Sequence, residues 1–564
     1  MYDARLCRGG WLLLAAMLWG CGSQKSAPSA VSPPAKTSRV AEPAKTSTVA
    51  VAPPAIPSAK TEPVSPPTKT PPQPQPAEEK RPARRFPAGS SGGTFAEEMQ
   101  AIEAEEQDLR KRRLQLARPR LLDDDRLKAG GLRKLTGKHV TLYTDLPSKP
   151  AIDELPEVFD QAYPQWCEFF RVDPKEQAAW HMRGFLMGEK SRRKFEDLDV
   201  IPPQVPDFRA GYMLNYEFFM YEQQSDYYRR HLMLHEGTHG FMWTLMGACT
   251  SPWYAEGTAE LLGSHLWEKG KLMLRQFPRS REETAYHGRI KLVKACFAEQ
   301  RAAALNDIVA AAFDLHAGPA TDKERQEGYA WCWASSAFLD GHRRYRERFN
   351  LLCSSMRTPG AIPGTFRTWY EPDWDDLMEE WQVFVSGLEY GYDMERNAIA
   401  FERGAPLPAV GANVAVQADR GWQSAKLTLE AGKTYELTAT GRVMLGEVVP
   451  ADRPQAIESE PDGITIRYHH GLPLGALLAA VRLEKEERDR LTPRTHEEQA
   501  KLSQEDAAAL RISALLRPIV IGRAARITPK FSGTLYLKIN DSAAELADNK
   551  GALQVRVTAA AAKK

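Results

Sequence analysis

Residues 230–243 read "RHLMLHEGTHGFMW". On a helix, residues four apart lie one turn apart on the same face, so His235 and His239 can aim ring nitrogens at a single point. Glu236 sits beside them, where a carboxylate can take a proton from an attacking water. That is the physical reason for the spacing H-E-x-x-H around a catalytic zinc. Two histidines on a helix do not by themselves make a metal centre. Zinc needs a third protein ligand, and a catalytic site keeps its fourth position open.

The next acidic residues downstream lie in "SPWYAEGTAELLGSH" (251–265), where Glu256 and Glu260 are again four apart and share a helix face. Together the two stretches resemble the gluzincin metallopeptidases, whose second helix carries a W-L-x-E-G-x-A-E type motif about twenty residues after H-E-x-x-H. Residues 253–260, "WYAEGTAE", match it closely, with a somewhat shorter inter-helix gap than in the aminopeptidase branch. The resemblance implies zinc bound by His235, His239 and Glu256, with Glu236 as general base. Glu260 would then be the carboxylate that orients a zinc-bound histidine. The reverse assignment, Glu260 on the metal, stays open. Residues 328–334, "GYAWCWA", resemble a downstream helix of gluzincin-like families, which makes Tyr329 the candidate for steadying an oxyanion. A core aromatic is the competing role for it. Tyr228, Arg229, Arg230, His265 and His342 are polar enough to line a cleft, but for each a satisfied structural role is the simpler expectation.

Around this motif, residues 136–403 form an aromatic-rich unit. "HVTLYTDL" reads as a strand, "AIDELPEVFDQAYPQWCEFFRV" as an amphipathic helix and "MRGFLMG" as a strand. "AGYMLNYEFFMYEQ" reads as a hairpin whose second arm, residues 217–221, precedes the H-E-x-x-H helix. That arm is expected to accept an extended peptide by strand addition. Helices dominate from Tyr228 onward. Strands first and helices after indicate an α+β domain, zincin-like if the resemblance holds, and not a doubly wound sheet.

From residue 404 to 564 short strands alternate with turns, as in "WQSAKLTLEAGKTYELTATGRVML", "GITIRYHHG", "RPIVIG", "SGTLYLKIND" and "GALQVRVTA". This is the pattern of an all-β sandwich, interrupted by a charged, partly helical insertion over 482–510. Residues 539–551, "INDSAAELADNKG", concentrate oxygen ligands in one turn. They suit calcium, and equally a turn capped by its own side chains. With "GRVMLG" and "PDGITIRYHHGLPLGALL", the region resembles the LecA-like calcium-dependent galactose-binding lectins over most of 410–558. The resemblance implies calcium held by the side chains of Asp541, Asp548 and Asn549 and by the backbone carbonyls of Leu445 and Glu545. It departs at "SEPDG" before Gly463, where an acidic residue stands in place of an expected histidine. The insertion is also foreign to those lectins, so calcium is the firmer expectation and galactose the weaker.

Residues 1–21 carry Arg5 and Arg8, an apolar run too short to span a bilayer, and "LWGC" ending at Cys21. This resembles a bacterial lipobox with Cys21 as the lipidation site, although Trp19 is bulky for that motif. Ordinary secretion is the alternative. Residues 22–93 are rich in Pro, Ala, Ser, Thr and Lys and cannot bury enough surface to fold. As extended polyproline at about 3.1 Å per residue they would reach at most about 200 Å. Residues 94–135 read as a charged helix. Of the cysteines after the signal, Cys167, Cys249, Cys296, Cys332 and Cys353 are odd in number and lack C-x-x-C spacing, so at least one is unpaired.

With 75 basic against 73 acidic residues, the chain has no electrostatic footprint for nucleic acid. The expectation is therefore an exported, membrane-anchored zinc metallopeptidase of the bacterial cell envelope, acting on peptide or protein, with a glycan as a further partner through the sandwich. The alternatives are a non-catalytic adhesion lipoprotein and a zinc amidase acting on peptidoglycan.

Overall fold

A computed structural model of the chain describes residues 120–247, 251–310, 321–356, 358, 361–448 and 455–560. The expected signal segment with Cys21, the expected linker, most of the charged helix expected over 94–135, and Cys249 lie outside the described residues. The protein is multidomain, with a helix-rich α+β part and an all-β part.

The first part is built on a five-stranded sheet of β1 (Arg133–Thr136), β2 (Val140–Thr144), β3 (Met182–Met187), β4 (Gly211–Leu214) and β5 (Glu217–Tyr221), in the order β1-β2-β3-β5-β4. β2, β3 and β5 are parallel, and both outer strands run antiparallel to their neighbours. The strand period of two divides the side chains cleanly. Met182, Leu186, Phe218 and Met220 join the large core under the helices, whereas Phe185, Met187 and Phe219 join a smaller core on the opposite face.

Two expectations change here. β5 is an interior strand, paired on both sides, and so cannot take up a peptide by strand addition. The edge belongs to β4, because the hairpin folds back outside β5. The domain also begins before residue 136. β1 is the far edge of this sheet, and Arg120 already pairs with Glu217 at 2.9 Å and donates to the Val200 carbonyl. The double glycine at 130–131 ends a six-residue helix, Asp124–Ala129, and turns the chain into β1.

α1 (Leu155–Phe170) and α2 (Asp226–Phe241) lie on one face of the sheet, and α3 (Pro252–Gly263), α4 (Arg289–Ala298), α5 (Asp322–Gly341) and α6 (Trp374–Ser386) pack in turn beyond them. A short hairpin of β6 (His265–Glu268) and β7 (Lys271–Leu274) follows α3.

The C-terminal part contains β8 (Ala405–Pro406), β9 (Ala412–Gln417), β10 (Gln423–Leu429), β11 (Tyr435–Thr440), β12 (Val443–Val448), β13 (Gln455–Ser459), β14 (Ile464–His469), β15 (Leu472–Leu474), β16 (Leu477–Leu483), β17 (Ile519–Val520), β18 (Ala524–Ile527), β19 (Gly533–Ile539), β20 (Asn549–Lys550) and β21 (Ala552–Ala559). Its two main sheets have the orders β17-β16-β19-β10-β8 and β18-β11-β21-β9. Side chains from both, including Leu427, Leu537, Leu437 and Val555, share one core, as in a sandwich. The charged insertion forms three short helices between β16 and β17. It serves as part of a clamp onto α6: Arg488 donates to Glu379 at 2.6 Å, and Arg482 reaches Asp376 at 2.7 Å. Ile399, Trp422, Leu478 and Tyr536 form an apolar layer beside it.

Candidate metal centre

α2 starts at Ser225, whose hydroxyl accepts the Tyr228 N–H, and nearly all of its residues are buried. Such depth requires close packing. A Cβ at Gly237 would lie 2.7 Å from both Phe159 and Trp166 of α1, so glycine there lets α2 lie flat against α1. α3 begins with Pro252 at its first turn, a position where the missing N–H costs nothing, and is likewise buried.

These helices bring the expected residues together. His239 Nε2 lies 3.1 Å from His235 Nε2 and 3.2 Å from Glu256 Oε2, and His235 Nε2 lies 3.4 Å from the same oxygen. Bond lengths of about 2.0–2.1 Å in a tetrahedral zinc site place neighbouring ligand atoms roughly 3.3 Å apart. The three donors, two imidazoles and a carboxylate, therefore fit zinc in both chemistry and spacing.

The ionisation pattern follows from depth and neighbours. Burial pushes His235 down and, alone, would do the same to His239, but Glu256 raises His239. Burial alone would raise Glu256, yet the His239 and His235 rings hold it below the usual carboxylate range. For Glu236 burial outweighs the pull of His239 and pushes it up to about 8. Its carboxylate packs on the edge strand, where a Cβ at Gly211 would sit 2.3 Å from its Oε1.

Glu260 lies on the other side of His235, its Oε1 3.6 Å from the ring Nδ1, in the position a histidine-orienting carboxylate would occupy. Arg289 holds it with two contacts, Nη2 to Oε1 at 2.6 Å and Nε to Oε2 at 2.9 Å. Full burial would raise the Glu260 pKa, but Arg289 keeps it well below the ordinary value. His287 and His231 approach the same carboxylate at 3.4 and 3.5 Å. His231, His235 and Glu260 thus form a second cluster of metal-ligand types. Arg289 already occupies both of its oxygens, so the His235–His239–Glu256 triangle is the better metal centre.

Tyr329 on α5 lies with its ring centroid 6.4 Å from that of His235 and 5.5 Å below the Arg289 guanidinium. The other polar candidates have partners of their own. Arg229 is paired with Glu222 and Asp226, and Arg230 with Glu154. His342 meets Glu380 at 3.0 Å, His265 stacks on Tyr227, and Tyr228 stacks on His231. Sequence reasoning missed His231, His287 and Arg289. His231 was detectable, one turn before His235 on the same face, whereas His287 and Arg289 arrive from a loop and a helix start that carry no local pattern.

In the sandwich, Asp541 is 1% exposed and its Oδ2 accepts from Asn549 Nδ2 at 2.8 Å. Burial pushes Asp541 up to about 6. Asn549 Oδ1 is buried without a hydrogen-bond partner among the described residues. Leu445 is paired with Asn549 across β12 and β20, and the Asp548 carboxylate lies against Gly446. The Glu545 carboxylate is taken by Arg467 at 2.9 Å, which leaves its backbone carbonyl as the group to offer. An unpartnered buried amide oxygen beside a buried carboxylate fits a hard cation such as calcium. The divergent segment before Gly463 is engaged elsewhere: Glu460 pairs with Arg442 at 3.0 Å, and Asp462 with Arg523 at 2.8 Å.

No protein-family model and no curated protein matches the chain. Among solved structures it is similar to the EclA N-terminal domain, a PllA-like lectin, at 19% identity and a TM-score of 0.16. That similarity covers 26% of this chain and 95% of the lectin chain.

Proposed function

We propose that the protein is a zinc-dependent metallopeptidase of the gluzincin type, with a calcium-binding, lectin-like sandwich at its C-terminal end. The observation that carries this reading is the buried triangle of His235 Nε2, His239 Nε2 and Glu256 Oε2, with sides of 3.1, 3.2 and 3.4 Å. Those three residues would hold the zinc, which when bound supplies a Lewis acid for the scissile carbonyl and lowers the pKa of a water.

The remaining roles fall to the chain itself. Glu236 takes the water's proton and delivers it to the leaving amine. Glu260 orients His235, and Tyr329 steadies the developing oxyanion. An extended peptide laid along β4 would pass directly over Glu236, since Gly211 on that strand touches its carboxylate. The lipobox-like "LWGC" supports export and lipid anchoring through Cys21 in a bacterial cell envelope. The sandwich would bind calcium and serve as a glycan-targeting or stabilising module.

The test is zinc content per chain together with casein and peptide-library hydrolysis, for the wild type and Glu236→Gln. Stoichiometric zinc in both and activity only in the wild type is the expected result. A metal-free wild type would sink the catalytic reading.

A further inference from the structure

The turn that carries the proposed calcium ligands is also where the sandwich enters the helical part of the protein. Ser542 Oγ donates to Glu389 Oε1 at 2.7 Å. Ala543 is buried and belongs to the large core under the helices, together with Leu388 and Tyr392. Its carbonyl accepts from the Asp393 N–H at 3.1 Å and from Asn397 Nδ2 at 2.9 Å. The receiving segment is shaped for it: a Cβ at Gly391 would stand 3.4 Å from the Ala544 methyl, and one at Gly387 would stand 3.7 Å from that of Ala543.

From this socket, contacts continue to the metal centre. The Gly391 N–H donates to the Pro278 carbonyl at 2.8 Å, and the Tyr392 ring meets Phe277. Phe277 meets Trp333 of α5 at 5.6 Å between ring centroids. Trp333 donates to Ser264 Oγ at 3.1 Å, at the end of the helix that carries Glu256 and Glu260. Its ring also packs edge-on against His287, which touches Glu260.

We propose that Ser542–Ala544 is an intramolecular docking plug, and that a divalent cation held by Asp541, Asp548 and Asn549 fixes this plug in the socket formed by residues 387–397. The proposal rests on the calcium reading of the sandwich given above. The cation ligands lie on both sides of the plug in sequence, so one ion gathers the ends of the segment that must be ordered for docking. Coupling is reciprocal: a plug held by the socket presents its ligands pre-formed, and weakening the socket weakens cation binding by the same factor.

The experiment uses the full mature chain. Calcium affinity is measured by calorimetry, and amide exchange is followed with calcium and with chelator. For the wild type, calcium should slow exchange at least tenfold both in 541–549 and in 387–397. Asn397→Ala, which removes a socket donor and no cation ligand, should still bind calcium, more weakly, and protect 541–549 without protecting 387–397. Calcium binding that protects 541–549 in the wild type but leaves 387–397 unchanged would overturn the plug and leave the calcium reading standing. No calcium binding by calorimetry would overturn both.

Discussion

Gly211→Ala separates folding from chemistry at the metal centre. The new methyl would sit 2.3 Å from Glu236 Oε1 and 2.9 Å from its Cδ and Cγ. Carbon–oxygen contact needs more than 3 Å, so the carboxylate must retreat by about 1 Å. The obstructing atoms are the free end of a rotatable side chain, so the fold gives way there, at no more than about 1–3 kcal/mol of overpacking. Part of that is offset by the roughly 0.5–1 kcal/mol that Ala gains over Gly within a strand. Misplacing a general base by ~1 Å costs on the order of a hundredfold in rate. That equals about 2.7 kcal/mol in the barrier. Peptide-library kinetics, zinc analysis and a thermal melt together form the assay. The expected result is full zinc content, KM within about threefold of wild type and kcat down about a hundredfold. Wild-type kcat would refute the placement of Glu236 as a base held against β4, and loss of zinc would show that Gly211 supports the ligands instead.

Arg289→Met leaves the fully buried Glu260 carboxylate without its guanidinium, which should cost about 3–5 kcal/mol of stability. It should also weaken zinc by roughly ten- to a hundredfold in chelator competition, because the carboxylate that orients His235 loses its anchor. Adding Glu260→Gln should restore much of the stability and none of the zinc affinity; unchanged zinc affinity in the single variant would refute the orienting role. Asp541 gives a pH signature. Its folded pKa of about 6 lies above the unfolded value of 3.8, so its contribution is complete below about pH 4 and is lost as pH rises through 6. The shift corresponds to about 3 kcal/mol. Without calcium at pH 7, Asp541→Asn should therefore stabilise the β19 amides against exchange, and with calcium the order should reverse. The probe must lie in the sandwich, because buried His287, held down to about 4, acts with the opposite sign in the helical part and loses stability as pH falls below about 6.5.

The candidate metal centre was legible because its information is local. His235, Glu236 and His239 share one helical turn, Glu256 and Glu260 share another, and helical geometry fixes their relation before any packing is known. The same holds for α1 and for strands β2, β3 and β5, where period and composition agree. Pairing order was not legible: nothing within "AGYMLNYEFFMYEQ" says which arm of the hairpin faces outward, because both arms are apolar and buried. β16, "LLAAVRL", lacks alternation because it is covered on both faces, by the sandwich core and by the layer shared with α6. Arg289 and His287 reach Glu260 across 29 and 27 residues, a distance at which sequence carries no spacing rule. The role of the 482–510 insertion as a clamp on α6 is invisible for the same reason.

The charges at the centre account for one another. Glu236, Glu256 and Glu260 are three carboxylates in a nearly dry site, and Arg289 is bound to Glu260. Three ionised carboxylates outnumber the guanidinium bound among them, and a low-dielectric interior opposes such an excess of negative charge. Glu256 escapes protonation through its histidines, and the burden falls on Glu236, which burial pushes up to about 8. On the zinc reading, a divalent ion would offset that excess and lower the tendency of Glu236 to hold its proton. The residue that must act as a base then becomes ionised through the same event that binds the metal. On that reading the ion's field would favour ionised Glu236, which gives a physical reason for it to stand immediately beside His235 instead of elsewhere along the cleft.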